Sequence, residues 1–114
     1  MVRIYKIVTA DAWAQAVENA AFFGAAIDLT DGYIHFSDAS QVEETARRHF
    51  PGQDNLLLVA FDSAHFGESL RWEASRGGAL FPHLYGILKP ALALWTKPLP
   101  WTADGHRFPE GWRA

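Results

Sequence analysis

Histidine is the side chain whose charge changes nearest neutral pH, and the chain has five of them, at 35, 49, 65, 83 and 106. Two stand where chemistry is plausible on spacing. In Tyr33-Ile34-His35-Phe36-Ser37 a period of two puts Ile34 and Phe36 on a core side and Tyr33, His35 and Ser37 together on the other. An imidazole there can donate, accept or move a proton, and a hydroxyl two residues on points at the same ligand; the plain alternative is a half-buried histidine satisfied by a carbonyl. His83 shares a face with Phe81 and Tyr85, with Pro82 and Gly86 fixing the backbone around it. Aromatic rings beside a polar donor suit a flat ring ligand, and equally describe an aromatic cluster with one polar member. His49 falls in the last turn of a helix, where the dipole favours a cation, while His65 and His106 fall in a turn and a tail. Arg71 and Glu73 share a strand face, as an anion clamp with a carboxylate or as a surface ion pair worth little.

Other chemistries drop out. Zero cysteine removes thiol nucleophiles, disulfides and iron–sulfur ligation. There is no Gly-x-Gly-x-x-Gly, no Gly-Lys-Ser phosphate loop and no His-Glu-x-x-His, and no histidine pair has the close spacing of a zinc site, so no metal is expected. A net charge of −3 without a basic block speaks against nucleic acid. The longest apolar run, Leu56 to Phe61, is far short of the roughly 20 residues that span a bilayer. These features lead to the expectation of a cytoplasmic protein of one domain, residues 1–114, with no membrane partner; they do not decide its oligomeric state.

The elements that must carry these residues follow from periodicity. Residues 2–8 alternate as a strand, with Val2, Ile4 and Lys6 on one face and Arg3, Tyr5 and Ile7 on the other. Ala12, Trp13, Ala16, Val17 and Ala20 recur at helical spacing behind a Thr9 or Asp11 cap. Residues 24–32 read as a turn-rich approach to the His35 strand. Ser40-x-x-Glu43 reads as a capping box for a second helix, with Val42, Thr45, Ala46, His49 and Phe50 inward and Glu43–Arg47 and Glu44–Arg48 pairs outward. Residues 55–62 form a central strand covered on both faces. Short strands follow at 70–73, 81–86 and 91–97, then from Pro98 onward an irregular tail packed on the surface, with residues 100–114 its C-terminal part. The order β-α-β-α-β-β-β-β makes an α+β fold with a mixed or antiparallel sheet and two early helices. Of the 14% aromatic residues, Trp13, Phe36, Phe50, Phe61 and Trp72 fall on core faces, and Tyr33, Phe81 and Tyr85 accompany the two histidines.

Four phrases, Ile4-Tyr5-Lys6-Ile7, Gly32-Tyr33-Ile34-His35-Phe36-Ser37-Asp38, Arg71-Trp72-Glu73 and Phe81-Pro82-His83-Leu84-Tyr85-Gly86, resemble a bacterial family catalogued as domain of unknown function 952, over residues 2 to about 99. The resemblance implies the split-sheet fold of the ADP-ribosyltransferases. In the poly(ADP-ribose) polymerase branch of that fold a first strand carries a histidine for the adenosine ribose, a second a tyrosine that stacks on nicotinamide, and a late strand the catalytic glutamate. By that resemblance Lys6 stands at the first position, His35 at the tyrosine and His83 near the glutamate, with Ser37 and Asp38 completing the second motif. An imidazole substitutes poorly for a carboxylate that holds a ribose hydroxyl, which speaks against ADP-ribosylation of protein. It leaves ribose or phosphate binding, or acid–base work in NAD-dependent phosphate removal from RNA.

The expectation is therefore a transferase-like domain holding NAD or another nucleotide in a cleft between the His35 and His83 strands. His35, His83 and the reserve carboxylate Glu73 are its catalytic candidates. Lys6, Ser37 and Arg71 are placed for ribose or phosphate, and Tyr33, Phe81 and Tyr85 for ring stacking. The competing expectation is a non-catalytic binding or interaction module that kept the fold and lost the glutamate.

Overall fold

The apolar character of both faces of two long strands decides the architecture. In the computed structural model, which describes residues 2–113 apart from the Arg76 side chain, strand β1 (Arg3–Thr9) pairs antiparallel along its whole length with β4 (Leu56–Asp62). Ile4 and Val8 face one hydrophobic cluster, Tyr5 and Ile7 another. Val59 and Phe61 of β4 join the first, and Leu56, Leu58 and Ala60 the second. Two strands buried on both sides need a layer above and a layer below.

The first layer is a three-stranded sheet of β2 (Ile34–His35), β6 (Leu80–Leu84) and β5 (Leu70–Ala74) in the order β2-β6-β5, together with helix α1 (Ala10–Asn19). Thr9 caps α1 by accepting the Ala12 amide at 3.2 Å, as its position before the helical run predicts. Trp13 and Ala16 turn inward, but Val17 of the same predicted stripe is exposed. The opposite layer is helix α3 (Val42–His49), inserted through Val42 and Ala46, and the end of the chain. The central sheet is completed by β3 (Ser37–Asp38) and β7 (Trp95–Pro98), giving β3-β1-β4-β7.

Several expectations are corrected. Residues 26–31 form a short helix, α2 (Ala26–Asp31), where only turns are predicted. Its single buried residue is Asp28, while Ile27 and Leu29 are exposed, so it lacks the apolar stripe by which helices are read. The His35 strand is two pieces: β2 pairs with β6, and after Phe36 the chain crosses into the central sheet, where β3 pairs with β1. Helix α3 is not capped by Ser40; Asp38 accepts the Ser40 amide and hydroxyl at 2.9 and 2.7 Å instead. The expected Glu44–Arg48 pair forms at 3.8 Å, but Arg47 reaches Glu44 at 3.2 Å in place of Glu43, which pairs with Arg113. Residues 90–92 are a 3₁₀ turn, which delays β7 to Trp95. Trp72 is 38% exposed although it shares the core side of β5 with Leu70, because β5 is the edge strand of its sheet.

The largest correction concerns the tail. Leu99 is fully buried and Trp112 nearly so, the Trp112 ring meets Tyr5 edge-on at 5.1 Å, and the Trp112 carbonyl accepts the Tyr5 hydroxyl at 3.1 Å. A hairpin of β8 (Trp101–Thr102) and β9 (Gly105–His106) brings the chain back to make this contact. Leu99→Ala is therefore expected to cost about 2–5 kcal/mol in urea unfolding, whereas Trp101→Ala, on the exposed face of the hairpin, costs under about 1 kcal/mol; equal small losses would return the tail to the surface.

Candidate functional site

Asp28 is the residue from which the site is built. Burying a carboxylate is expensive unless donors surround it, and this one is met from three directions. The Ala25 amide donates to Oδ2 at 2.8 Å, starting α2; the His35 amide donates to Oδ1 at 3.0 Å; and the Lys6 ammonium reaches both oxygens at 3.0 and 3.1 Å. His35 Nδ1 donates to Oδ1 at 2.6 Å. Burial by itself would raise the Asp28 pKa, but the His35 ring, the Lys6 charge and the two amides outweigh it and hold the carboxyl well below the usual range. Gly24 makes room, since a Cβ there would lie 2.8 Å from the Asp28 Cβ.

Lys6 thus has a different place from the one expected. Its position between Ile4 and Val8 puts it on a core face of β1, where its ammonium is spent on Asp28 and on the His35 carbonyl at 2.7 Å. Burial lowers its pKa against the raising effect of Asp28. A group enclosed in this way anchors β2 to β1 and is not presented to a ligand.

The two histidines do come together. β2 and β6 are adjacent, with His35 and His83 as direct register partners, so no cleft separates them; their rings lie 5.5 Å apart, roughly edge to face. Tyr33 covers both, stacked on His83 at 4.0 Å between centroids and tilted against His35 at 4.7 Å. His83 Nδ1 lies 2.8 Å from Glu73 Oε1, a diagonal contact across the β5–β6 pair. The same oxygen accepts the Tyr85 hydroxyl at 2.7 Å. Those two hydrogen bonds, Tyr85 first, lower the Glu73 pKa, and the carboxylate in turn raises that of Tyr85. Arg71 stands over the Tyr85 ring at 4.9 Å. On the far side His35 Nε2 lies 2.9 Å from Asp31 Oδ2.

Tyr33, His35, His83, Glu73, Tyr85 and Arg71 thus form one connected face. Ser37 does not belong to it: the crossing after Phe36 sends its side chain to the other layer, where it is buried and shares a 2.9 Å hydrogen bond with Thr45 of α3. Asp38 is engaged with Ser40. Phe81 is buried at the start of β6 and offers no open ring surface. Sequence reasoning missed Asp28 and Asp31. The available signal was Lys6, a cation on a core face, which demands a buried anion.

Beside Tyr33 lies a cavity of about 180 Å³, lined by Phe23, Asp28, Leu29, Gly32, Tyr33, Ile34, Leu84 and Gly86. Among the described residues no three His, Asp or Glu side chains are grouped to hold a metal ion, and no helix is long and apolar enough to cross a membrane.

Residues 7–96 match the family described as "Protein of unknown function (DUF952)", and the chain belongs to it. The chain is also similar to solved structures of protein CC0527 from Caulobacter crescentus. The crystal structure is 46% identical and covers 91% of each chain, with a TM-score of 0.88. The solution NMR structure, also 46% identical, covers 93% of this chain and 91% of that one, with a TM-score of 0.84. No curated protein matches the chain.

A titration tests the role of Asp28. Its folded carboxyl ionises below the ordinary value of 3.8, so between the two values the unfolded chain binds more protons, and stability rises with pH there. This contribution is complete above pH 3.8 and disappears as the pH falls through the folded value. Asp28→Asn should lower stability at neutral pH by about 3–5 kcal/mol and flatten the loss of stability on acidification, measured by denaturant unfolding from about pH 6 down to about pH 2.

Proposed function

We propose that this protein is an ADP-ribosyltransferase-like domain that binds the ring end of an NAD-class nucleotide against Tyr33, with His83, buried beneath Tyr33 and reached when that ring moves aside, as the proton-transferring group. One observation carries the reading: the strand positions that the resembled fold uses, at Lys6, His35 and His83, converge, and a carboxylate reappears there from the neighbouring strand as Glu73, 2.8 Å from His83. A carboxylate on Nδ1 fixes the neutral tautomer so that Nε2 carries the lone pair. In that role Nε2 takes the proton of an attacking hydroxyl as the new bond to the ribose C1′ forms and the nicotinamide leaves with the electrons of the broken bond. Glu73 is then the positioning residue for His83, and Tyr33 the stacking surface.

Size limits how much of the nucleotide is enclosed. Ligand pockets usually measure about 300–1,000 Å³, and the cavity beside Tyr33 has about 180 Å³. That accommodates a single ring and leaves the remainder of a dinucleotide outside the cavity. The second reading, a binding module without turnover, is favoured by one observation: Lys6 is spent on internal partners.

Calorimetric titration with NAD, ADP-ribose and nicotinamide separates these readings from each other and from neither. The transferase reading expects binding weakened roughly 2- to 10-fold by Tyr33→Ala, the worth of one aromatic stack, and nicotinamide release from NAD that His83→Ala abolishes. Binding without release supports the module; absence of binding at millimolar ligand removes both nucleotide readings.

A further inference from the structure

The two carboxylates on either side of His35 are not equivalent. Asp28 is buried and holds both the His35 amide and Nδ1, so it fixes the residue at two points. Asp31, with a side chain 37% exposed, touches only the outer nitrogen, Nε2, at 2.9 Å. It is the last residue of a six-residue helix and precedes Gly32, whose φ of +87° is a left-handed conformation open to glycine. A helix C-terminus disfavours an anion. The Asp31 carboxylate is therefore held out toward His35 by that contact, and a rotation of one exposed side chain releases it.

We propose that Asp31 is a built-in occupant of an oxyanion subsite at His35 Nε2, and that a ligand carrying a carboxylate or phosphate group takes its place. Three features support this. The imidazole cannot follow Asp31 when it leaves, because Asp28 retains the ring, so Nε2 stays aimed at the position that Asp31 gives up. With Asp31 withdrawn, the charge of Asp28 is answered by Lys6, so the groups left behind His35 do not repel an anion. The subsite also adjoins the ring-binding face, since Tyr33 lies 4.7 Å from His35 and 4.0 Å from His83 between centroids. One small molecule bearing a ring and an anionic group can reach both. The subsite rests on the ring-binding reading only for that second contact.

The charged groups facing the subsite are Asp31, Asp28 and Lys6, with Glu73 beyond Tyr33. Removing the nearest acid takes away a competitor and a repelling charge together. In Asp31→Ala and Asp31→Asn, affinity for inorganic phosphate and for nicotinate is expected to rise about tenfold or more over the wild type. The readouts are calorimetry and the His35 Nε2 nitrogen shift in long-range proton–nitrogen spectra. Neutral nicotinamide should gain little, Glu110→Ala, an exposed acid on the C-terminal segment, should give no gain, and His35→Ala in the Asp31→Ala background should abolish it. A gain for nicotinate alone assigns the subsite to carboxylates, and one for phosphate alone to phosphates. A gain for phosphate while nicotinamide and NAD bind no form upholds the subsite and removes the ring-binding reading. Equal affinities in wild type and both Asp31 variants, an equal gain in Glu110→Ala, or a gain that survives loss of His35 would overturn the proposal.

Discussion

A buried carboxylate has to be answered by donors, and answering Asp28 organises this end of the molecule. Its partners come from the loop before α2, from β1 and from β2, so one side chain ties together three segments. Each partner gains by the arrangement: Lys6 keeps its charge on a core face, α2 begins despite having only six residues, and the short β2 receives an anchor that its two residues of ladder would not provide. Buried ion pairs add little net stability compared with apolar replacements, yet they are costly to break. The pair is better understood as fixing geometry than as a source of stability.

That geometry is handed on through His35. Held at its amide and Nδ1, the ring meets His83 directly across the β2–β6 pair, and Tyr33 lies over both. Glu73 engages His83 from the opposite strand as Asp28 engages His35. Two imidazoles thus stand side by side, each with Nδ1 against a carboxylate, and the Tyr33 ring lies over both. A site placed on paired strands, with each ring oriented by a further hydrogen bond, is held more tightly than one on loops.

Much of the fold was legible in the sequence where period and burial agree. The alternation of β1, the continuous apolar run of β4 and the Thr9 cap all translate directly into structure. Reading failed where local pattern and tertiary role part company. Helix α2 shows the solvent its Ile27 and Leu29 and buries its Asp28, the reverse of the amphipathic signal. Ser37 lost its place beside His35 because the strand changes sheets at Phe36, and strict alternation holds only within one sheet. Leu99 and Trp112 were obscured by the Pro and Gly around them, although turns of that kind are what return a chain to its core. Among the site residues, His35, His83, Glu73, Tyr33 and Tyr85 came from strand faces, whereas Asp28 and Asp31 sit in a segment whose hydropathy carries no sign of them.

The dependence of this structure on one buried ion pair is tested most directly by a double-mutant cycle of Lys6→Met and Asp28→Leu, followed by denaturant unfolding at neutral pH. Each single change strands a buried charge and should cost about 3–5 kcal/mol. The double variant strands neither, so it should be more stable than either single one, with a coupling of at least about 2 kcal/mol. Losses that simply add would contradict the account, because Lys6 and Asp28 would then stabilise the protein independently and the carboxylate would not be the junction on which His35 is held.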